Sequence, residues 1–421
     1  MAVDLRKEEE YNFKQTSTGD YIATGTLQNG NATINKLFIL KLDSLFNEIY
    51  FKILLEDTAC DGCLHGRNIF ENSNKHYIIV GTDSRDSSGV LFPNNYEKGL
   101  IIETDTSGNI IKQKLIGFNN AFDWFNTGIQ SDSNYYLFGA SCSYAPAQVT
   151  GYNKQDCWVV KTDLQGNEIQ SQNYGSTELY DKEFTYAIQL PNNKILVGHD
   201  KGIDEHPSGV RLFKPWLLVL NNSLNIEKEI LLDEIILSGD TFIQSTIYNT
   251  IKYNNTSFLT IGKKVAGNTS SYLVEWCKAM VIKLDSSFNV LYVRYFVHNG
   301  GEFDDINPQL ITKTDDGGYI IGGYVIDHTL SPIQQSWIVK ADSLGCDGFQ
   351  SCNDTALLIQ PYQIPDTLCL NDTNWVTVEI NGRSAPYKLT LSNGQEFDSI
   401  YYPKELPPHI LYDMAIYPTQ A

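Results

Sequence analysis

Trp158–Asn167 reads WVVKTDLQGN. The apolar run Trp158-Val159-Val160 suits an extended strand. The ending, Asp163 followed by Gly166-Asn167, suits a tight turn, because aspartate bonds turn amides and glycine takes left-handed backbone angles freely. Related phrases recur: FILKLDSLFN from Phe38, LIIETDTSGN from Leu100, WLLVLNNSLN from Trp216, MVIKLDSSFN from Met280 and WIVKADSLG from Trp337. The turn position is therefore Asp43, Asp105, Asp163, Asn221, Asp285 and Asp342. Each phrase is one unit of an internal repeat.

A second strand, ending in glycine, precedes every phrase. It is YIATG to Gly25, YIIVG to Gly81, YYLFG to Gly139, KILVG to Gly198, FLTIG to Gly262 and YIIGG to Gly323. A further strand and polar turn come before it, as in LITKTDDGGY before Gly323, and another strand follows the Asp turn. Each unit of about sixty residues thus supplies about four strands, which suits a propeller blade. One blade cannot bury both faces of its sheet, so neighbours must complete the core. The fold class is all-β: a β-propeller of six four-stranded blades, with a small C-terminal β appendage. A seventh blade, built from residues 353–400, is the alternative count; a linear β solenoid is the rival architecture. The expected domains are the propeller over 11–352, a linker over 353–366, and a partial immunoglobulin-like or adhesin-like segment with an irregular tail over 367–421. The sixth copy lacks its last strand, which the stretch near Tyr11–Thr16 or residues after Cys352 is expected to supply. The repeat glycines are expected where blades approach each other closely.

Insertions separate the glycine strand from the next at 82–98, 140–156, 199–214, 263–277 and 325–336. Loops on a rigid scaffold are where recognition resides. With 50 acidic against 31 basic residues the formal net charge is -19, which repels phosphate backbones and argues against a nucleic-acid partner. No apolar run is long enough to span a bilayer as a helix. The start, MAVDLRKEEEYNF, lacks an apolar leader core, and the expectation is that a leader was removed and a start methionine added.

Taken together, the WxVKxDSxGN phrases, the DGGYIxxG phrase and the DSLGC ending resemble repeat propeller proteins secreted or displayed by Bacteroidota. The match covers roughly residues 11–346. Residues 385–394, APYKLTLSNG, resemble short adhesin-like repeats, and AIYPTQA at 415–421 resembles the start of a sorting domain of the type IX secretion route. The resemblance implies a scaffold at the cell surface or outer membrane, and supplies no catalytic motif.

The eight cysteines permit disulfides. Cys60–Cys63 is expected to close a small loop, with a redox pair or a zinc site using His65 as alternatives. Cys142–Cys157 is expected to pin an insertion, Cys346–Cys352 to secure the end of the array, and Cys277–Cys369 remains by subtraction, with burial of either thiol as its alternative. His199 and His206 share an acidic insertion with Asp204 and Glu205; a solvated loop is set against a catalytic or metal role. Asp123, Asp181, Glu183, Asp304 and Asp305 lie near blade beginnings beside Phe122, Trp124, Phe125, Tyr180, Phe184 and Phe303. Carboxyl pairs cleave glycosides when they flank a sugar, while acids near strand starts also arise from turn chemistry. No catalytic pair, cofactor or metal ligand is assigned. A calcium role for the repeat aspartates fails on number, since calcium takes about six to eight oxygens. The expected function is a secreted or surface propeller, more readily a scaffold than an enzyme, that binds a protein or glycan or serves as a subunit of an envelope assembly. The alternative is a propeller glycoside hydrolase or polysaccharide lyase using acidic residues.

Overall fold

A computed structural model describes residues 12–28, 35–57, 64–86, 90–92, 96–119, 121–143, 155–175, 184–205, 211–232, 242–267, 274–298, 304–327 and 333–347, with six strands beyond them. It is an all-β, six-bladed propeller. Blade one is β1 (Asn12–Gln15), β2 (Tyr21–Gln28), β3 (Asn35–Leu42) and β4 (Glu48–Asp57), paired in that order. Blade two is β5 (Leu64–Glu71), β6 (Tyr77–Asp83), β7 (Lys98–Thr104) and β8 (Ile110–Ile116). Blade three is β9 (Asp123–Ser131), β10 (Asn134–Ser141), β11 (Asp156–Asp163) and β12 (Glu168–Tyr174). Blade four is β13 (Tyr186–Gln189), β14 (Ile195–Glu205), β15 (Arg211–Leu220) and β16 (Ile226–Leu231). Blade five is β17 (Phe242–Asn254), β18 (Ser257–Gly267), β19 (Val274–Asp285) and β20 (Val290–Phe296).

Among the described residues blade six has three strands, β21 (Asp304–Lys313), β22 (Tyr319–Asp327) and β23 (Ile333–Ala341). The N-terminal stretch expected to complete it pairs instead with β2, as the inner strand of blade one. The C-terminal strands β24 (Leu358–Pro361), β25 (Val376–Asn381), β26 (Tyr387–Leu391), β27 (Glu396–Ile400), β28 (Lys404–Leu406) and β29 (Met414–Pro418) form two three-stranded sheets, ordered β24-β25-β28 and β27-β26-β29. By contact density the chain forms two compact units, residues 1–311 with 323–336, and residues 312–322 with 337–421.

The core lies between blades. Trp158 on β11 is fully buried, stacks on Phe125 at 5.0 Å between ring centroids, and joins Ile78, Val80 and Ile101 of blade two. Its indole N–H donates to Ser171 Oγ at 3.1 Å, so the polar edge is satisfied. Cys157, on the opposite face of β11, packs with Val197 and Trp216 of blade four. A strand buried on both faces reads as an unbroken apolar run, which is why these third strands lack alternation.

The Asp turns behave as read. Asp105 Oδ1 accepts from Ser107 N at 2.9 Å and Asn109 N at 2.8 Å, while its Oδ2 accepts from Asn109 Nδ2. Asp43, Asp163 and Asp285 each accept from the asparagine four residues on in the same way. Asn221 keeps the amide half of the pattern, with Ser223 N and Asn225 N both 3.0 Å from its Oδ1. The turns of blades two to five are also held by the preceding blade. Tyr50 Oη donates to Thr106 O, Lys112 Nζ to Leu164 O, Gln170 Nε2 to Ser223 O and Lys228 Nζ to Ser287 O.

Two expectations need correction. The 199–214 and 263–277 insertions are largely strand, because β14–β15 and β18–β19 extend into them as long hairpins. Cys142, Cys157 and Cys277 are thiols, so neither the Cys142–Cys157 nor the Cys277–Cys369 bridge holds. The physical reason at Cys157 is its burial in the core between blades three and four. Cys60, Cys63, Cys352 and Cys369 lie outside the described residues.

Candidate functional site

The repeat glycines do more than end strands. A Cβ on Gly81 would stand 1.8 Å from His65 O, on Gly139 1.9 Å from Trp124 O, on Gly262 2.0 Å from Thr246 O and on Gly323 2.2 Å from Asn307 O. The close approach is therefore to the inner strand of the same blade, not to the neighbouring blade. Glycine is needed because the inner-strand backbone leans onto it. In blade four Gly198 instead faces the Tyr186 phenol, and β13 pairs in straight register.

In blades two, three and five the leaning inner strand carries a β-bulge opposite the glycine. Pairing jumps from Gly66↔Gly81 to Asn68↔Val80, from Phe125↔Gly139 to Thr127↔Phe138, and from Ile247↔Gly262 to Asn249↔Ile261. The extra residues are Arg67, Asn126 and Tyr248. A bulge re-aims the side chain of its extra residue and recurs next to functional sites.

These residues reach around the inner strands. Arg67 Nη1 donates to Asn126 Oδ1 at 2.8 Å, and Asn126 Nδ2 donates to Phe184 O at 3.0 Å. Tyr248 is half-buried, and its phenol is held well above its ordinary pKa by desolvation and then by negative charge nearby, Asp200 and Asp305 among the contributors. Asp200 is buried and its Oδ1 accepts from Ile247 N at 2.9 Å, fixing the backbone at the Tyr248 bulge. Lys263, the residue after the blade-five glycine, reaches forward to blade six, 2.7 Å from Asn307 Oδ1 and 3.4 Å from Asp305 Oδ1. Cys277 donates its thiol proton to Asp305; burial pushes that thiol up to about 12, so it is a protonated donor and not a nucleophile.

The acids singled out from the sequence separate into different roles. Asp305 belongs to this cluster. Asp123 does not: it is fully buried and accepts from Phe118 N at 2.6 Å, Ser141 Oγ at 2.5 Å and Ser143 Oγ at 3.2 Å, closing the crossover between blades two and three. Trp124, Phe125 and Phe184 are core residues, not a sugar platform. His199 is not in a solvated loop. It is buried edge-on to Trp216, with ring centroids 4.3 Å apart, and its Nδ1 carries the proton given to Asp200 O. Asp181, Glu183, Tyr180, His206 and Phe303 lie outside the described residues, as do the side chains of Asp304, Asp204 and Glu205. Among the described residues no group of three or more His, Cys, Asp or Glu is placed to hold a metal ion, and no helix is long and apolar enough to cross a membrane. Sequence reasoning missed Arg67, Asn126 and Tyr248, because their bulges are defined only by how each inner strand pairs with the next one.

No family model matches the chain, and no curated protein matches it. Solved structures similar to it include the alpha-L-arabinanase of Penicillium chrysogenum, at 11% identity and TM-score 0.47, covering 80% of this chain and 94% of that one. The alpha-L-arabinofuranosidase Arb93A of Fusarium graminearum aligns at 11% identity and TM-score 0.46, over 80% and 94%. The sialidase of Trypanosoma rangeli aligns at 8% identity and TM-score 0.42, over 79% and 54%. At these values no residue role passes from them to this chain. Two expectations are nonetheless corrected. These neighbours are glycosidases by name, so the leaning against an enzyme is withdrawn. The comparisons carry no outer-membrane or type IX secretion signal, and those assignments are withdrawn.

Proposed function

We propose that the chain is a carbohydrate-active propeller that binds a glycan at the inner-strand bulges and hydrolyses a glycosidic bond beside Tyr248. The observation that carries this reading is Tyr248 itself: a half-buried tyrosine on a bulge, within electrostatic reach of two carboxylates, Asp200 and Asp305. Sugars are recognised by hydroxyl, amide and charged groups fixed on a rigid frame, which Tyr248, Asn307 and Lys263 supply. Asp305 is assigned the proton transfer. It is only part-buried, and Lys263 and Cys277 hold its carboxyl in place. Asp200 is the positioning residue, since it bonds the backbone on which Tyr248 stands. Arg67 and Asn126 hold the corresponding bulges of blades two and three.

The test is release of reducing ends from a polysaccharide panel that includes arabinan, xylan, pectin and a sialyl-oligosaccharide. Turnover of one of these, reduced by about a hundredfold or more in Asp305→Asn with substrate binding retained, is the expected result. Binding without turnover across the panel would sink the catalytic assignment, and activity unchanged in both Asp305→Asn and Tyr248→Phe would sink the site.

A further inference from the structure

We infer a second ligand site at the turn end of blades four and five, a cleft that takes a short oligo-uronate, a sugar chain carrying carboxylates. The cleft has a volume of about 440 Å³ and is bordered by Lys194, Lys228, Lys252, Asn192 and Asn255. Its apolar side is a pair of rings: Phe258, buried, stacked on Phe288 with centroids 5.3 Å apart and planes 19° from parallel. That size is within the ordinary range for small-ligand pockets.

Charge selects the ligand. Three lysines border the cleft against one carboxylate, Glu227, which is engaged with Lys194 at 2.6 Å. On a chain of formal charge -19 this is a local reversal of sign. Its attraction is felt only by an anion that comes within about a Debye length, roughly 8–10 Å at moderate salt. Lys228 lies over the Phe288 ring at 5.5 Å and donates to Ser287 O, so it fixes the turn that presents that ring. An aromatic side chain beside ammonium and amide donors suits a pyranose bearing a carboxylate: ring against Phe288, carboxylate toward Lys252, hydroxyls toward Asn192 and Asn255.

Phe288 sits at φ 66° in the left-handed region, as do Phe46 at φ 64° and Leu224 at φ 61° at the same turn position of the first and fourth copies, while the second, third and sixth copies place Gly108, Gly166 and Gly345 there. What sets this junction apart is the open space beside the ring. At the junction of blades one and two the corresponding space is filled, since Tyr50 lies so close to Gly108 that a Cβ would stand 2.8 Å from its ring.

The experiment is calorimetric titration of the full chain with trigalacturonic acid, with cellotriose as the neutral control. Saturable binding of the uronate, absent for cellotriose, and weakened about tenfold or more by Lys252→Glu and by added salt, is expected. Phe288→Gly, which removes the ring and its packing on Phe258, is expected to weaken binding, and Phe288→Tyr to retain it. Absence of saturation by trigalacturonate, equal affinity for cellotriose, or unchanged affinity in Lys252→Glu would overturn the site. None of these readouts depends on the inner-strand cluster, so its failure and this one are separable.

Discussion

Arg67 Nη1 donates to Asn126 Oδ1 across 2.8 Å, joining the bulge of one inner strand to the bulge of the next. Neither residue belongs to the repeat phrase, yet both stand where they do because the repeat glycine opposite leaves room for the inner strand to bulge. The phrase thus builds the scaffold, and the glycine of the strand before it decides which neighbouring side chains are turned toward other blades.

Removing either partner is expected to destabilise the ring by about 1–3 kcal/mol, the range for a partly buried hydrogen bond to a charged group. The double variant should lose less than the sum of the two single losses, because the Arg67–Asn126 bond is shared, while the bond from Asn126 to Phe184 O is lost only with Asn126. Urea unfolding of Arg67→Ala, Asn126→Ala and the double variant checks this. Fully additive losses would mean that the shared bond contributes nothing and that each residue acts through its other contacts.

The glycines divide into two kinds by what they face. Gly81→Ala pushes a methyl into His65 O, a backbone atom that cannot move without opening the strand pair, and is expected to cost about 2–4 kcal/mol or to abolish folding. Gly198→Ala meets the Tyr186 phenol at 1.8 Å, a side chain, and the added change Tyr186→Phe is expected to recover part of the loss. Thermal melts of the three variants decide it. Equal loss in Gly198→Ala with and without Tyr186→Phe would show that the backbone, not the phenol, sets the cost.

The blade count, the order of strands and the Asp turns were legible because each depends on residues close in sequence: Asp105 bonds Ser107 and Asn109, two and four positions on. The candidate site was not. Whether Tyr248 is an ordinary strand residue or the extra residue of a bulge depends on how β17 meets β18, which no local pattern announces. Burial misled in the same way. Asp123 beside aromatic residues looks like a catalytic acid in sequence; in space the aromatics are core and the carboxylate closes a crossover. The expected Cys142–Cys157 bridge failed because proximity along the chain said nothing of Cys157 facing the core.

The Asp turns give the fold an acid limit. Hydrogen bonds from Asn109, backbone and side chain, hold the Asp105 carboxyl below its ordinary value of 3.8, and the same cause acts on Asp43, Asp163 and Asp285. A carboxylate whose folded pKa is depressed contributes stability that is present above the unfolded value and is lost as pH falls through the folded one. Stability is therefore expected to drop below about pH 4. The fourfold change of these aspartates to asparagine is expected to flatten that drop, since asparagine already occupies the turn at Asn221. Melts from pH 2 to 5 of the two proteins check this; parallel curves would place the acid limit elsewhere.

Asp123 acts in a higher window and with the opposite sign. Burial raises its carboxyl to about 6 from 3.8, against the pull of Ser141, Phe118 N, Ser143 and the Lys98 charge. The folded state therefore binds the proton more tightly than the unfolded chain. The resulting stability is fully present below about pH 4 and is lost as pH rises through about 6. The swing is at most about 3 kcal/mol, from roughly two pKa units at about 1.4 kcal/mol each. Asp123→Asn is neutral at every pH, and its amide oxygen can still accept from the Ser141 hydroxyl. Urea midpoints at pH 5, 6 and 7 should fall with rising pH in the parent protein relative to this variant, so that the two curves converge toward pH 5 or cross. A difference between them that is constant over the three pH values would mean that Asp123 keeps its charge throughout, and that the bonds from Phe118, Ser141 and Ser143 outweigh its burial.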